Sequence, residues 1–196
     1  KEKKYHHPIY LLSDEPYREL LFVDETYPFI TRYYDNSLVA YSFSKCLSLP
    51  GERIGYLAIS PKAENVEGLT ASALGASRSL GYINMSSLFQ YLIPSVIHLQ
   101  SDFTVYKENR DYLYRALKDI GYEVIYPSGA FYMFVKALEE DSDAFSKRGL
   151  KYHLFMPSSV TFGYPGYVRL SIAVSHQIVK NSVPAFKALY EEYRGK

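Results

Sequence analysis

The apolar positions of this chain fall into short unbroken runs separated by polar and proline-rich punctuation. Residues 8–13 (P-I-Y-L-L-S) form one run, stopped by Asp14, Glu15 and Pro16. Residues 38–43 (L-V-A-Y-S-F) form a second, and residues 54–59 (I-G-Y-L-A-I) a third, closed by Ser60 and Pro61. Runs of this length and bounding predict buried strands. The stretch between the first two is about twenty residues, enough for a crossover between parallel strands. This part of the chain therefore predicts an α/β sheet covered on both faces.

Residues 61–100 follow a helical period but are interrupted by Gly68, Gly75, Gly81 and Pro94. A clearer helix follows. Asp102 is placed to cap it, Tyr106, Leu113, Leu117 and Ile120 share one face, and Gly121 stands where a left-handed residue ends a helix. Strand and helix then alternate: a strand at 122–126, a turn at 127–129, a strand at 130–135, a short helix at 142–148, strands around 154–155 and 168–174, and a helix at 176–193. Pro184 predicts a kink or a fresh start within the last helix. The change from sheet-type organisation to a smaller α+β unit lies between about residues 92 and 102. No internal repeat or low-complexity segment occurs.

Composition narrows the classes. With 196 residues, 47% hydrophobic and 22% charged, the chain is an ordinary globular protein by these measures. A net charge of +1 with scattered basic residues argues against nucleic acid and anionic membranes as partners. No apolar stretch is long enough for a membrane helix, and no signal-peptide pattern opens the sequence. One cysteine, Cys46, excludes an internal disulfide and suits a reducing compartment, so the expectation is a cytoplasmic protein. The five histidines, His6, His7, His98, His153 and His176, lack metal-ligand spacing, so no metal site is expected. The 21 tyrosines and absent tryptophan point to no function.

The chemistry gathers at strand ends. Asp14 follows the first strand and Lys45 the second. If the two strands are parallel neighbours, both face the crevice beyond the sheet's carboxyl edge, where ligands of open α/β sheets bind. A lysine at the rim of an apolar layer suits Schiff-base chemistry, because only a neutral amine attacks a carbonyl. Alone, each residue has a plainer reading: Lys45 as an exposed loop residue, Asp14 as a turn former, Arg169 as a structural ion-pair partner. The local wording changes the balance. Ser42-Phe43-Ser44-Lys45 followed by Pro50-Gly51-Glu52-Arg53 brings hydroxyls, an amine and a guanidinium into one short segment, a set able to hold a phosphate beside a reactive amine. Cys46, with no histidine beside it in sequence, reads as a small packing residue.

The segment S-F-S-K-C-L-S-L-P-G-E-R-I-G-Y resembles the lysine motif of class I/II (fold type I) pyridoxal-phosphate (PLP) aminotransferases. Asp14-Glu15-Pro16-Tyr17 resembles the family's D-x-x-Y motif, residues 127–132 (P-S-G-A-F-Y) its small-domain P-x-G-A-F-Y segment, and residues 167–173 (Y-V-R-L-S-I-A) the strand bearing its substrate arginine. The four motifs stand in the family's order and span nearly the whole chain. The resemblance implies that residues 1–100 are the C-terminal portion of the large PLP-binding domain, a mostly parallel sheet with flanking helices, and residues 101–196 a small α+β domain. It implies that Lys45 forms the internal aldimine and shuttles the substrate proton. Asp14 would pair with the pyridine nitrogen, Tyr17 with the ring oxygen, and Ser42 and Arg53, with help from Ser44, with the phosphate. Arg169 would take the substrate carboxylate.

The expected activity is transfer of an amino group from an amino acid to a 2-oxo acid, with aspartate-type substrates favoured by the wording D-E-P-Y-R. Two alternatives share these residues: a carbon–sulfur β-lyase of the same fold, and a non-catalytic, aminotransferase-like sensor domain of a transcription regulator. The family's glycine-containing phosphate loop, its ring-stacking aromatic, an asparagine and a tyrosine from across a homodimer interface would all lie upstream of Pro8. The chain is accordingly expected to be a truncated half whose isolated form binds PLP weakly or not at all and is inactive.

Overall fold

The computed structural model describes residues 1–195, which form two compact units: Lys1–Glu19 with Asp24–Ser101, and Leu20–Val23 with the chain from Asp102 onward. The four-residue excursion of Leu20–Val23 into the second unit has no signature in the sequence. It is held there by main-chain bonds, Phe22 N–H to Ser128 O at 2.9 Å and Ala130 N–H to Leu20 O at 2.8 Å.

The first unit opens with a short helix, α1 (Glu2–Tyr5), and builds a three-stranded sheet in the order β1 (Leu11–Asp14), β2 (Ser37–Ser42), β3 (Gly55–Ile59). β1 and β2 are parallel, with Asp14 opposite Ala40. β3 runs antiparallel to β2, with Gly55 opposite Ser42, so the sheet in this unit is mixed. β2 is the central strand and buries Ser37, Val39 and Tyr41. Its neighbours do not match the expectation of burial on both faces: Leu11, Leu12, Tyr56 and Leu57 are all exposed. One helical turn, α2 (Phe43–Cys46), follows β2 directly because Ser42 caps it, its Oγ accepting from the Ser44 N–H at 3.1 Å. The region at 61–100 resolves into α3 (Val66–Ser79) and α4 (Ser87–Val96), split where Gly81 takes a positive φ. The core is small, built from Tyr41, Phe43, Cys46, Ile54 and Ile93.

The second unit has α5 (Thr104–Ile120), an antiparallel sheet of β4 (Val124–Ile125), β5 (Tyr132–Lys136) and β6 (Tyr167–Ser171), α6 (Ser142–Gly149) between the last two strands, and α7 (His176–Tyr193). α5 begins two residues after Asp102, whose carboxylate accepts from the Thr104 N–H at 2.9 Å, and it ends at Gly121 with φ 117°. Leu117, Met133, Val135, Phe145, Val168, Ile172 and Leu189 are fully buried in one continuous core. Burial of each such side chain is worth about 1.5–3 kcal/mol.

Three expectations are corrected. The strand expected over 168–174 stops at Ser171, because the carbonyls of Ile172 and Val174 accept from the fully buried Asn109 amide (3.0 and 2.8 Å) instead of from a strand. The stretch at 154–155 is coil: the Leu154 N–H turns back to Gly149 O, and pairing with β6 is limited to a bridge between Ser158 and Val168. Of the kink or fresh start expected at Pro184, the fresh start does not occur: α7 runs through as one helix. Pro184 and Lys180, whose carbonyl it leaves without a donor, both lie on the exposed side, where water can serve.

Candidate functional site

In the first unit, the parallel pairing of β1 and β2 places their carboxyl ends side by side. Asp14 is the last residue of β1, exposed, and its carboxylate has no hydrogen bond or ion pair among the described residues. The chain turns over residues 15–18, closed by the Arg18 N–H to Glu15 O bond (3.3 Å), and this turn carries Tyr17. From β2, α2 lifts Lys45 so that its Nζ lies 5.6 Å from the centre of the Tyr17 ring. Amine and phenol ring thus meet beyond the sheet edge that ends in Asp14.

What fixes this arrangement is a buried layer that the sequence reading missed. Glu15 is 2% exposed, and its Oε2 accepts from Arg18 Nη2 at 2.7 Å and Nε at 3.1 Å. The Arg18 guanidinium stacks on Tyr41 (4.8 Å) and Phe29 (4.5 Å). Tyr41 in turn donates its hydroxyl to Cys46 Sγ at 3.0 Å, inside the helical turn that bears Lys45. Burial pushes the Cys46 thiol above its ordinary range, which keeps it protonated and inert. The same burial drives the Tyr41 phenol far up, so it acts only as a donor and packing group. The one available signal in sequence was an acid three residues before an arginine inside D-E-P-Y-R.

Ser42, Ser44 and Arg53 flank the β2–β3 junction. Ser42 Oγ lies 2.6 Å from Ser44 Oγ. With Ser44 as donor, the Ser42 hydroxyl accepts twice and keeps its own proton to give to an anion. The Phe43 N–H bonds Ile54 O (3.1 Å), which brings the residue after Arg53 against the residue after Ser42. Arg53 itself takes a left-handed backbone, φ 52°, and hooks Nη1 onto Pro50 O at 2.7 Å. Its Nε and Nη2 have no acceptor among the described residues. Gly55 is required at this junction: a Cβ there would run into the Tyr41 carbonyl oxygen. A carboxylate, a phenol, an amine, two hydroxyls and an arginine fork form a donor set that suits a phosphorylated aromatic aldehyde with a ring nitrogen.

Arg169 belongs to the second unit. It sits mid-strand in β6, opposite Phe134, on the face away from the buried Val168 and Leu170. Its Cζ lies 3.8 Å from the Phe162 ring centre and 4.2 Å from that of Tyr132. Its guanidinium has no hydrogen bond or salt bridge among the described residues. Period-two alternation in Y-M-F-V-K could have put Tyr132 on this face; Phe162 comes from the turn Val160–Phe162, which no pattern announces. Among the described residues no cluster of three His, Cys, Asp or Glu could hold a metal ion, and no helix is long and apolar enough to cross a membrane.

Known proteins share this arrangement of chain. The family model for aminotransferase class I and II matches residues 2–186. Aspartate aminotransferase from Thermotoga maritima is 31% identical over 172 residues, covering 85% of this chain and 43% of its own. A second aspartate aminotransferase, from Pyrococcus horikoshii, is 30% identical and covers 86% and 45%. Among solved structures, an amino transferase from Eubacterium rectale matches with a TM-score of 0.94 at 46% identity, over 98% of this chain and 48% of that one. The chain spans about half the length of the curated relatives it matches, 43% and 45% in these two cases.

Proposed function

The chain belongs to the class I and II aminotransferase family, and on that premise we propose that it supplies the lysine, ring-side carboxylate and substrate arginine of an enzyme that moves an amino group from an amino acid to a 2-oxo acid. The cofactor is pyridoxal 5'-phosphate, which when bound supplies an electron sink for the carbanion formed at the amino acid Cα. The observation that carries the reading is the meeting of Lys45 and Tyr17 beyond the adjacent ends of parallel β1 and β2, at the edge closed by Asp14.

The roles follow from the donor set. Lys45 Nζ would hold the cofactor and would move the proton at the substrate Cα. The Asp14 carboxylate would accept a hydrogen bond from the ring N–H and favour its protonated form. Tyr17 donates its hydroxyl to the ring oxygen. Ser42 and Arg53, the latter with one edge already anchored on Pro50, would hold the phosphate, and Ser44 would support Ser42. Arg169 offers its fork to the α-carboxylate, which fixes the bond at Cα to be broken. Residues 1–100 are read as the C-terminal portion of the large cofactor-binding domain and residues 101–196 as the small domain. The names of the Thermotoga and Pyrococcus relatives support aspartate-type substrates. A cytoplasmic homodimer is the proposed working form.

The test is the cofactor's visible absorption band. The protein as its host makes it should show the band, and Lys45→Ala should remove it together with transfer from aspartate to 2-oxoglutarate. The isolated 196-residue chain should bind weakly or not at all. A band that survives Lys45→Ala overturns the assignment, and pyruvate release from cystathionine without amino transfer would turn it toward carbon–sulfur elimination.

A further inference from the structure

We infer that Phe162 and Tyr132 are positioning residues for the substrate carboxylate, acting through Arg169; this rests on the role of Arg169 proposed above. The case comes from comparing arginines within the molecule. Arg18, Arg110 and Arg148 also lie against aromatic rings, and each gives an edge of its guanidinium to a carboxylate: Glu15 at 2.7 Å, Asp111 at 2.8 Å and Glu192 at 3.2 Å. Arg32 and Arg194 lie near a ring without a carboxylate, but both are exposed and each has a single ring, at 5.8 and 4.9 Å. Arg169 is half-buried and has two rings, as Arg18 and Arg110 do, but both lie closer to it, at 3.8 and 4.2 Å, than any ring does to another arginine, and it has no acid among the described residues. Two rings crowd its Cζ while its N–H groups have no acceptor among the described residues.

That combination has a physical purpose. The faces of a guanidinium are weakly hydrated and lose little against an aromatic ring, whereas the in-plane N–H groups require acceptors. Rings packed against the guanidinium stop the long side chain from wandering while its N–H groups stay available to a ligand. A carboxylate is the anion whose two oxygens match that edge. Ordering the arginine before the ligand arrives removes a cost that binding would otherwise carry. Phe162 adds a further hint: it is 56% exposed at the end of a short turn, so its ring contributes little to the core. Tyr132 reaches the same guanidinium from β5, one strand away and diagonal to Arg169 in register.

The test uses succinate, a dicarboxylate without an amino group, titrated calorimetrically into the protein as its host makes it, with and without PLP. Steady-state KM and kcat are measured alongside with the amino acid it transfers best. Phe162→Leu and Tyr132→Leu should each weaken succinate about tenfold and raise KM by a similar factor, moving kcat less. Phe162→Tyr, which keeps a ring, should restore both. Phe162 is too exposed for its loss to unfold the protein, so a weakened affinity at unchanged melting temperature is readable. If Arg169→Ala abolishes succinate binding while Phe162→Leu and Tyr132→Leu change it by less than about twofold, the positioning role is wrong and the role of Arg169 stands. If Arg169→Ala itself leaves succinate binding unchanged, the reading of Arg169 fails first, and the inference with it.

Discussion

At the scale of single residues, the chain's buried charges separate structural from functional groups. Glu15 has no exposed side-chain surface and holds Arg18 through two hydrogen bonds. Arg18→Met should therefore cost about 3–5 kcal/mol, because it strands a buried carboxylate, whereas the joint change with Glu15→Gln should recover part of that loss. Equilibrium unfolding in urea measures both. In the second unit, burial by itself would raise the Asp111 carboxyl, but hydrogen bonds from Arg110 and Tyr126 outweigh it and hold the group below the usual carboxylate range. A depressed folded-state value gives stability that is present above the unfolded value, near 3.8, and disappears as pH falls through the folded one. The melting temperature of the second unit should thus drop below about pH 4, and Asp111→Asn should lower it at pH 7 while flattening the acid limb.

At the scale of elements, the site depends on how β2 ends. Ser42 stops the strand and starts α2 in one step, and Gly55 lets β3 approach closely enough to pair there. Gly55→Ala should push the two strands apart at that register and lower PLP affinity at least tenfold, read from titration of the visible band, although no cofactor contact is altered directly. Gly129 has the same kind of duty in the second unit, since a Cβ would meet Leu20 O at 2.7 Å. Asn109→Ala would leave the Ile172 and Val174 carbonyls unsatisfied in the core and should cost about 2–3 kcal/mol in thermal or chemical unfolding.

At the scale of the whole molecule, the two units differ in how well their helices are anchored. α3 buries no residue and α4 only Ile93, and Leu74, Leu80, Ile83, Leu88 and Tyr91 are more than half exposed. α5 buries Asn109, Arg110, Leu113 and Leu117, and α7 buries Val179, Phe186 and Leu189. Backbone amides of residues 66–96 in the isolated chain should accordingly exchange with solvent faster than those of 104–120 and 176–193. Mass-spectrometric exchange resolves these segments, and equal protection in both would show that α3 and α4 are covered in solution. The apolar surface on α3 and α4 is also large enough to predict dye binding and self-association of the isolated chain.

The sequence by itself determined the family, the order of strands and helices apart from the strand expected at 154–155, and the identity of Asp14, Tyr17, Lys45 and Arg169 as the groups to look for. Those follow from local signals: run length, helix ends and motif wording act over a few residues and need no partner from elsewhere. Tertiary structure alone decided the antiparallel direction of β3, the passage of Leu20–Val23 into the second unit, the Glu15–Arg18–Tyr41–Cys46 layer beneath Lys45 and the rings against Arg169. Each of these joins residues distant in the chain, or decides which of several equivalent neighbours a side chain meets, and such choices are set by packing and by the need of buried polar groups for partners. Composition carries no record of them.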